Sequence, residues 1–174
     1  TDYVDGRYSN YLNWDKLREL AASGATVGNH TRSHPHLVRR NENEGEADWR
    51  QRVHAEISDA QERIDRELGD AAIPVLAYPY GEYDGAIMQL TEELGLFALG
   101  QHSGAIGRDS NLYAAPRFPI ATGFDELEDF ILRVRSRPLP VQLADNEQHI
   151  LQPGTLRPTL RLQLLQGDYR ADSL

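Results

Sequence analysis

The apolar positions of this chain recur with two spacings, and the alternation between them predicts a succession of helices and strands. Residues 1–13 are polar, carry no core pattern and read as a surface crossing. From Trp14 the spacing Trp14-x-x-Leu17-x-x-Leu20-Ala21 predicts a helix over 14–23, with Gly24 as the glycine that ends it. A short apolar run over 25–28 predicts a buried strand, and a polar turn follows it. Asn41–Gly45 is a charged loop. Trp49, Val53, Ile57, Ala60, Ile64 and Leu68 then fall on one stripe of a long amphipathic helix that Gly69 stops. Residues 74–77 predict a second strand, 84–94 a helix ended by Gly95, and 96–99 a third strand. After a glycine-rich loop reaching Tyr113, residues 117–121 read as a strand and Phe124–Val134 as a helix. Asp125, Glu126 and Glu128 open that helix and Arg133, Arg135 and Arg137 close it, as the helix dipole favours.

Beyond Pro138-Leu139-Pro140 the pattern changes. Leu156, Leu160, Leu162, Leu164 and Leu165 are interspersed with polar residues, and Pro153-Gly154 and Gly167-Asp168 mark turns, so β-strands are predicted there. This segment, 138–174, is expected to begin a β-rich accessory module rather than to pad the edge of the first domain. Before it, helix, glycine, strand and polar turn succeed one another. That is the layout of an α/β barrel or doubly wound sheet, in which chemistry collects at the carboxyl ends of the strands.

The first of those strand ends carries the most informative residues, His30-Thr31-Arg32-Ser33-His34-Pro35. On one helical turn residues i and i+4 share a face, so the two imidazoles can converge on one cation, and Pro35 keeps the turn short. Neutral imidazole is the commonest protein ligand for zinc-like metals. Histidine pairs at this spacing also occur on ordinary helix surfaces, where they bind nothing. His54, flanked by charge beside the long helix stripe, is expected to be such a surface residue. With no cysteine in the chain, disulfides, thiolate ligands and a thiol nucleophile are excluded. The 174 residues suffice for one domain with a real core, and no apolar stretch approaches the roughly 18 residues of a membrane span. A net charge of −9 disfavours nucleic acid and anionic membranes as partners.

The segment Trp14-Asp-x-Leu17-Arg-x-Leu20-Ala-x-x-Gly24-x-x-Val27-Gly28-Asn29-His30-Thr31-x-x-His34-x-x-Leu37 resembles the second motif of the polysaccharide deacetylases, the NodB-homology family (carbohydrate esterase family 4). Val75-Leu76-Ala77-Tyr78-Pro79-Tyr80-Gly81-Glu82-Tyr83-Asp84 is similar to the third motif. Its Ala-Tyr-Pro-Tyr-Gly form is that of the branch containing biofilm poly-N-acetylglucosamine deacetylases; Ala77 or Tyr78 stands where the usual form has arginine. A weaker likeness covers Gly100-Gln101-His102-Ser103-Gly104 and Ala115-Pro116-Arg117-Phe118-Pro119. Together these span about residues 11–137. The resemblance implies a distorted (β/α) barrel, a deacetylase-type domain over 1–137, and a separate β-rich segment over 138–174.

It also implies a reaction: hydrolysis of N-acetyl groups on an N-acetylglucosamine-type polymer, with a divalent metal, zinc by expectation, as cofactor. His30 and His34 are then two metal ligands and Thr31 shapes the turn through its hydroxyl. The Tyr80 backbone N–H is the expected oxyanion donor, and Tyr78, Pro79 and Tyr80 the expected substrate-binding turn. His102 is the best-placed candidate for the general acid. Arg117 is expected to pair with an aspartate, with a salt bridge to Glu82 or Asp84 as its alternative. The family's first motif, an Asp-Asp pair supplying the third ligand and the base, has no counterpart here, and Asp2 and Asp5 lack the apolar strand that should precede it. The barrel is therefore expected to lack its first strand, the chain being a fragment. A polymeric substrate implies an exported, periplasmic or cell-envelope setting. Two readings compete: a carbohydrate-binding relative that keeps the groove but not the chemistry, and an interaction domain in which the histidines are incidental. A metallopeptidase is disfavoured by the lack of His-Glu-x-x-His.

Overall fold

In the computed structural model, the described residues are 1–4, 11–120, 122–123, 125–138, 141–143 and 162–165. Residues 1–136 form one compact unit and 137–174 a second.

The first unit alternates helix and strand. Helix α1 (Trp14–Ala22) starts where the Asn13 side chain accepts from Lys16 N at 2.9 Å, satisfying one of the amides a helix leaves open at its start. Strand β1 (Val27–Asn29) leads through the histidine turn to α2 (Glu46–Leu68). The predicted stripe of α2 is buried at Trp49, Val53, Ile57, Ala60 and Ile64, and Gly69 ends the helix with φ +53°. Strand β2 (Ala72–Ala77) follows, then α3 (Gly85–Glu93), capped by Asp84 accepting from Ile87 N, and β3 (Phe97–Leu99). The three strands form a parallel sheet in the order β1-β2-β3, with a helix in each crossover.

The register of β1 on β2 slips: Val27 pairs with Ala72 but Asn29 with Leu76. Pro74 lies inside that interval and has no N–H to give the ladder. Gly28 faces the same place, where a Cβ would stand 2.8 Å from the Val75 carbonyl oxygen. Glycine is what lets the two backbones approach there. The core gathers behind this sheet from Leu37, Trp49, Val53, Ile57, Leu76, Tyr78, Ile87, Leu90, Leu96 and Ala98. The Trp49 indole N–H donates to Leu37 O at 2.8 Å, so the segment after the histidine turn is tied to α2.

Two expectations are corrected. Residues 117–120 are not a strand (residue 121 lies outside the described residues); the chain instead pairs earlier, with a parallel bridge from Leu99 to Ala115 and Ala115 N donating to Ala98 O at 2.8 Å. Pro116 and Pro119 explain the shift, since neither can continue a ladder. The helix expected over Phe124–Val134 runs instead as α4 (Leu127–Arg135), without a side-chain cap and with no buried residue; Phe124 lies outside the described residues. In the second unit, β4 (Val141–Leu143) pairs antiparallel with β5 (Leu162–Leu164). The expected turns at Pro153-Gly154 and Gly167-Asp168, with Leu156 and Leu160, lie outside the described residues, as does Asp5 in the polar opening.

Candidate active site

The site lies at the carboxyl ends of β1 and β2. His30 and His34 do come together, their ring centroids 4.7 Å apart at 71°. Helical geometry is not what joins them. Thr31 and His34 have φ +67° and +58°, the left-handed region, so the turn doubles back on itself instead of coiling. Such conformations cost free energy in a non-glycine residue and persist only where surrounding contacts over-determine them.

Those contacts come from buried polar groups. Asn29 is 1% exposed; its Oδ1 accepts from Thr31 N at 2.8 Å while its Nδ2 donates to Ile57 O at 2.9 Å and to Gln61 Oε1 at 3.2 Å. The Thr31 hydroxyl accepts from His34 N at 3.1 Å, the turn-shaping role expected of it. Glu56, buried on α2, takes Ser33 N at 2.9 Å and the Ser33 hydroxyl at 2.8 Å, and Arg32 N donates to its backbone carbonyl at 2.9 Å. The histidine turn is thus moulded against α2. Neither Asn29 nor Glu56 is singled out by the motif reading. The signal for Glu56 is its position within the apolar stripe, between Val53 and Ala60.

The His30 ring is held from the other side. Its Nδ1 lies 2.7 Å from Ala77 O at the end of β2, and a carbonyl only accepts, so Nδ1 carries the proton and donates. That leaves the Nε2 lone pair of the neutral ring free, the tautomer that suits a metal ligand. His30 keeps part of its ring in solvent, yet the protein crowding the rest removes enough water to push its pKa below the usual 6.5. The bond to Ala77 opposes that fall, and the positive charges of nearby His34 and Arg117 add to it.

The turn after β2 supplies the opposite wall. Tyr80 takes φ +57°, and among the described residues no hydrogen bond engages its backbone N–H. The residue is 49% exposed, and its ring meets His34 edge-on at 4.6 Å. It also stacks on His36 at 3.9 Å and 14°. His36 Nδ1 lies 2.9 Å from Glu82 Oε2, and Arg39 reaches the second oxygen of Glu82 at 3.2 Å. The bond from His36, helped by Arg39, holds the Glu82 carboxyl below its usual range. Gly81 follows with φ +69°, and a Cβ there would stand 2.7 Å from Gln101 Cβ.

The structure separates the other expected site residues. Tyr78 is fully buried, its hydroxyl donating to Tyr113 O at 2.7 Å and lying 3.3 Å from Thr91 Oγ1; burial pushes its phenol up to about 12. Pro79 is buried too. Neither offers a face to a sugar, and of the three only Tyr80 remains open. Leu76 and Tyr78 lie two apart at the end of β2, the period that puts residues on the same face, and that is the signal for Tyr78 as core. His102 is exposed on the loop after β3, its carbonyl accepting from Arg117 N at 3.0 Å, and no ring contact joins it to the histidine pair. Arg117 lies near enough to His30 to act on its charge. It makes no salt bridge among the described residues: Glu82 is taken by His36 and Arg39, and Asp84 caps α3. His54 is exposed, as expected, and His149 lies outside the described residues.

A cavity of about 630 Å³ opens beside the pair, lined by His30, Thr31 and His34 together with Tyr3, Tyr11 and Trp14. Among the described residues no three His, Cys, Asp or Glu side chains stand together closely enough to hold an ion. Two imidazoles, one with its tautomer locked, fit two ligand positions of a zinc-type ion; a catalytic zinc ordinarily takes three from protein. Among the described residues, no helix is long and apolar enough to cross a membrane.

Comparison with known proteins bears on this geometry. The polysaccharide deacetylase family model matches residues 1–99. No curated protein matches the chain. Its fold is similar to that of the deacetylase PplD of Streptococcus pyogenes, solved in complex with acetate, at 19% identity and a TM-score of 0.65, over 76% of this chain and 55% of that one. It is also similar to the BpsB deacetylase domain of Bordetella bronchiseptica, at 22% identity and a TM-score of 0.57, over 67% of this chain and 57% of that one. A polysaccharide deacetylase of Bacillus cereus matches at 22% identity and a TM-score of 0.61, over 77% of this chain and 39% of that one. The chain therefore spans between 39% and 57% of the length of these structures.

Proposed function

Because this chain belongs to the polysaccharide deacetylase family, we propose that it serves the metal-dependent hydrolysis of N-acetyl groups on an N-acetylglucosamine-type polymer. The observation that carries this reading is the convergence of His30 and His34, with Ala77 O fixing the His30 tautomer so that Nε2 is free.

Each residue then has a task. His30 Nε2 and the His34 ring would hold a divalent ion, zinc by chemistry. That ion supplies Lewis acidity, lowering the energy of negative charge on the acetamide oxygen. Tyr80 presents an unengaged N–H beside His34, a donor free to meet an oxygen on which charge develops. Its half-open ring offers a flat face to a sugar. Water adds to the acetyl carbon, the carbon–nitrogen bond breaks, acetate leaves, and the proton passes to the amine. His102 and Arg117 stay as candidates for donating that proton and for binding an acidic partner. We assign residues 1–137 to the deacetylase-type domain and 138–174 to an accessory β-rich module, and a polymeric substrate favours an exported or cell-envelope setting.

The test is direct. Chelated protein is titrated with Zn²⁺ by calorimetry, and acetate release from chitooligosaccharide is measured before and after metal is restored. Binding that His30→Ala and His34→Ala abolish, with metal-dependent acetate release, supports the reading; unchanged zinc affinity in both variants overturns it. The finding of only two donors among the described residues favours one second reading, a carbohydrate-binding relative, for which zinc and oligosaccharide bind but acetate is not released.

A further inference from the structure

The histidine pair and Tyr80 leave one set of residues without a role: His36, Glu82 and Arg39. They meet the site through the stack of His36 on Tyr80. The order of rings is continuous, His30 edge-on to His34 at 4.7 Å, His34 edge-on to Tyr80 at 4.6 Å, Tyr80 flat on His36 at 3.9 Å. The last ring is pinned by Glu82, and Glu82 by Arg39. His30 has its own fixing point in Ala77 O. His34 has none of that kind: among the described residues its backbone N–H is bonded to Thr31, no hydrogen bond holds its ring, and the ring packs edge-on to those of His30 and Tyr80. The His34 ring therefore rests between His30, which Ala77 O holds, and Tyr80, which stacks on His36.

We propose that His36 and Tyr80, anchored by Glu82 and Arg39, form a brace that fixes the orientation of the His34 imidazole, so that both are positioning residues for the ion that His30 and His34 would share. The brace spans two chain segments, 34–39 after β1 and 80–82 after β2, and couples the two turns that build the site. His36 does this with its ring face. Its place also sets it apart from a third ligand, since among the described residues no three His, Cys, Asp or Glu side chains stand together closely enough to hold an ion.

The metal arm of the test rests on the deacetylase reading; the ring-order arm does not. The full chain is compared with His36→Ala, His36→Phe and Tyr80→Ala, folding being checked by the fluorescence of the buried tryptophans. Two readouts are taken: Zn²⁺ affinity by calorimetry, and the NMR ring-current shift and relaxation of the His34 Cε1–H group. His36→Ala is expected to free the His34 ring and to weaken zinc binding by about 10–100-fold, as loss of an outer-layer support does. Tyr80→Ala removes the same contact from its other side and should match it. His36→Phe keeps the face but loses the bond to Glu82, and should restore part of both signals. An unchanged His34 signal in His36→Ala and Tyr80→Ala overturns the brace. So does a His36→Phe variant as damaged as His36→Ala, since the ring face would then contribute nothing to the stack. If the parent binds no zinc while the ring loosens in both alanine variants, the brace stands and the metal reading falls; if zinc binds equally in all four proteins and the ring is unmoved, the reverse holds.

Discussion

Replacing Asn29 by alanine asks whether α2 imposes the geometry of the histidine turn. The Asn29 side chain makes three hydrogen bonds from a position 1% exposed: one from Thr31 N, one to Ile57 O and one to Gln61 Oε1. They are not equal in worth. Thr31 is itself 1% exposed and its N–H has no other acceptor among the described residues, so Asn29→Ala strands a buried donor, at about 1–3 kcal/mol. Loss of the amide donated to Ile57 O adds about 1 kcal/mol. Gln61 is only half-buried and recovers its partner from water. The expected loss of stability is about 2–4 kcal/mol, or a fall of about 1–2 M in the urea midpoint for a slope near 2 kcal/mol per M. The assay is urea unfolding followed by Trp14 and Trp49, the chain's two tryptophans, both buried in the first unit. Amide exchange at Thr31 should accelerate in parallel, because its left-handed backbone loses the acceptor that holds it. A loss under about 0.5 kcal/mol, the range of an ordinary surface change, with Thr31 as protected as before, refutes the reasoning.

Three further outcomes are expected. Gly28→Ala drives a Cβ to 2.8 Å from the Val75 carbonyl, where backbone cannot yield cheaply, and should cost about 1–3 kcal/mol in the same unfolding assay; a neutral result would mean the strands can separate freely. Tyr78→Phe removes the hydroxyl bonded to Tyr113 O and should cost about 1–2 kcal/mol without altering zinc affinity, whereas a large loss of oligosaccharide binding would reinstate Tyr78 as a contact residue. The Arg52 guanidinium holds the Glu44 carboxyl at about 2, below the ordinary 4.5 of the unfolded chain. Its contribution to stability is therefore whole above pH 4.5 and drains as the pH falls toward 2, and carboxyl NMR should find Glu44 titrating closer to the ordinary range once Arg52→Gln removes the cation, with the bonds from Asn41 still in place.

Much of the architecture is legible in local pattern because local chemistry decides it. The α2 stripe, the Asn13 and Asp84 caps and the glycines after α1 and α2 each act within a turn or two of where they stand, so α1, α2 and α3 emerge with their strands between them. The strand expected at 117–121 fails because an apolar run says nothing of which residues can donate, and Pro116 and Pro119 cannot. The histidine pair is visible as a spacing, but the spacing suggests a helical turn. The actual bend is dictated by Asn29, Glu56 and their partners, 23 to 32 residues apart in the chain. No short-range rule announces such contacts. The Tyr78-Pro79-Tyr80 turn divides for a legible reason, since Leu76 and Tyr78 share a face. The pairing of His36 with Glu82 and Tyr80 depends on two loops meeting and has no signature in either.

One consequence follows from the anchoring of the histidine turn on α2. Glu56, Ile57 and Gln61 must present themselves to the turn at one angle of the helix, and each added residue rotates everything after it by about 100°. A single insertion between Trp49 and Glu56 would thus swing the anchors away from Asn29 and Ser33, although it lies well outside the cavity. The same insertion in the largely exposed 41–43 segment would leave that phase intact. Among natural variants, length should drift in that connector and stay fixed along the helix, which behaves as the ruler against which the turn is cut.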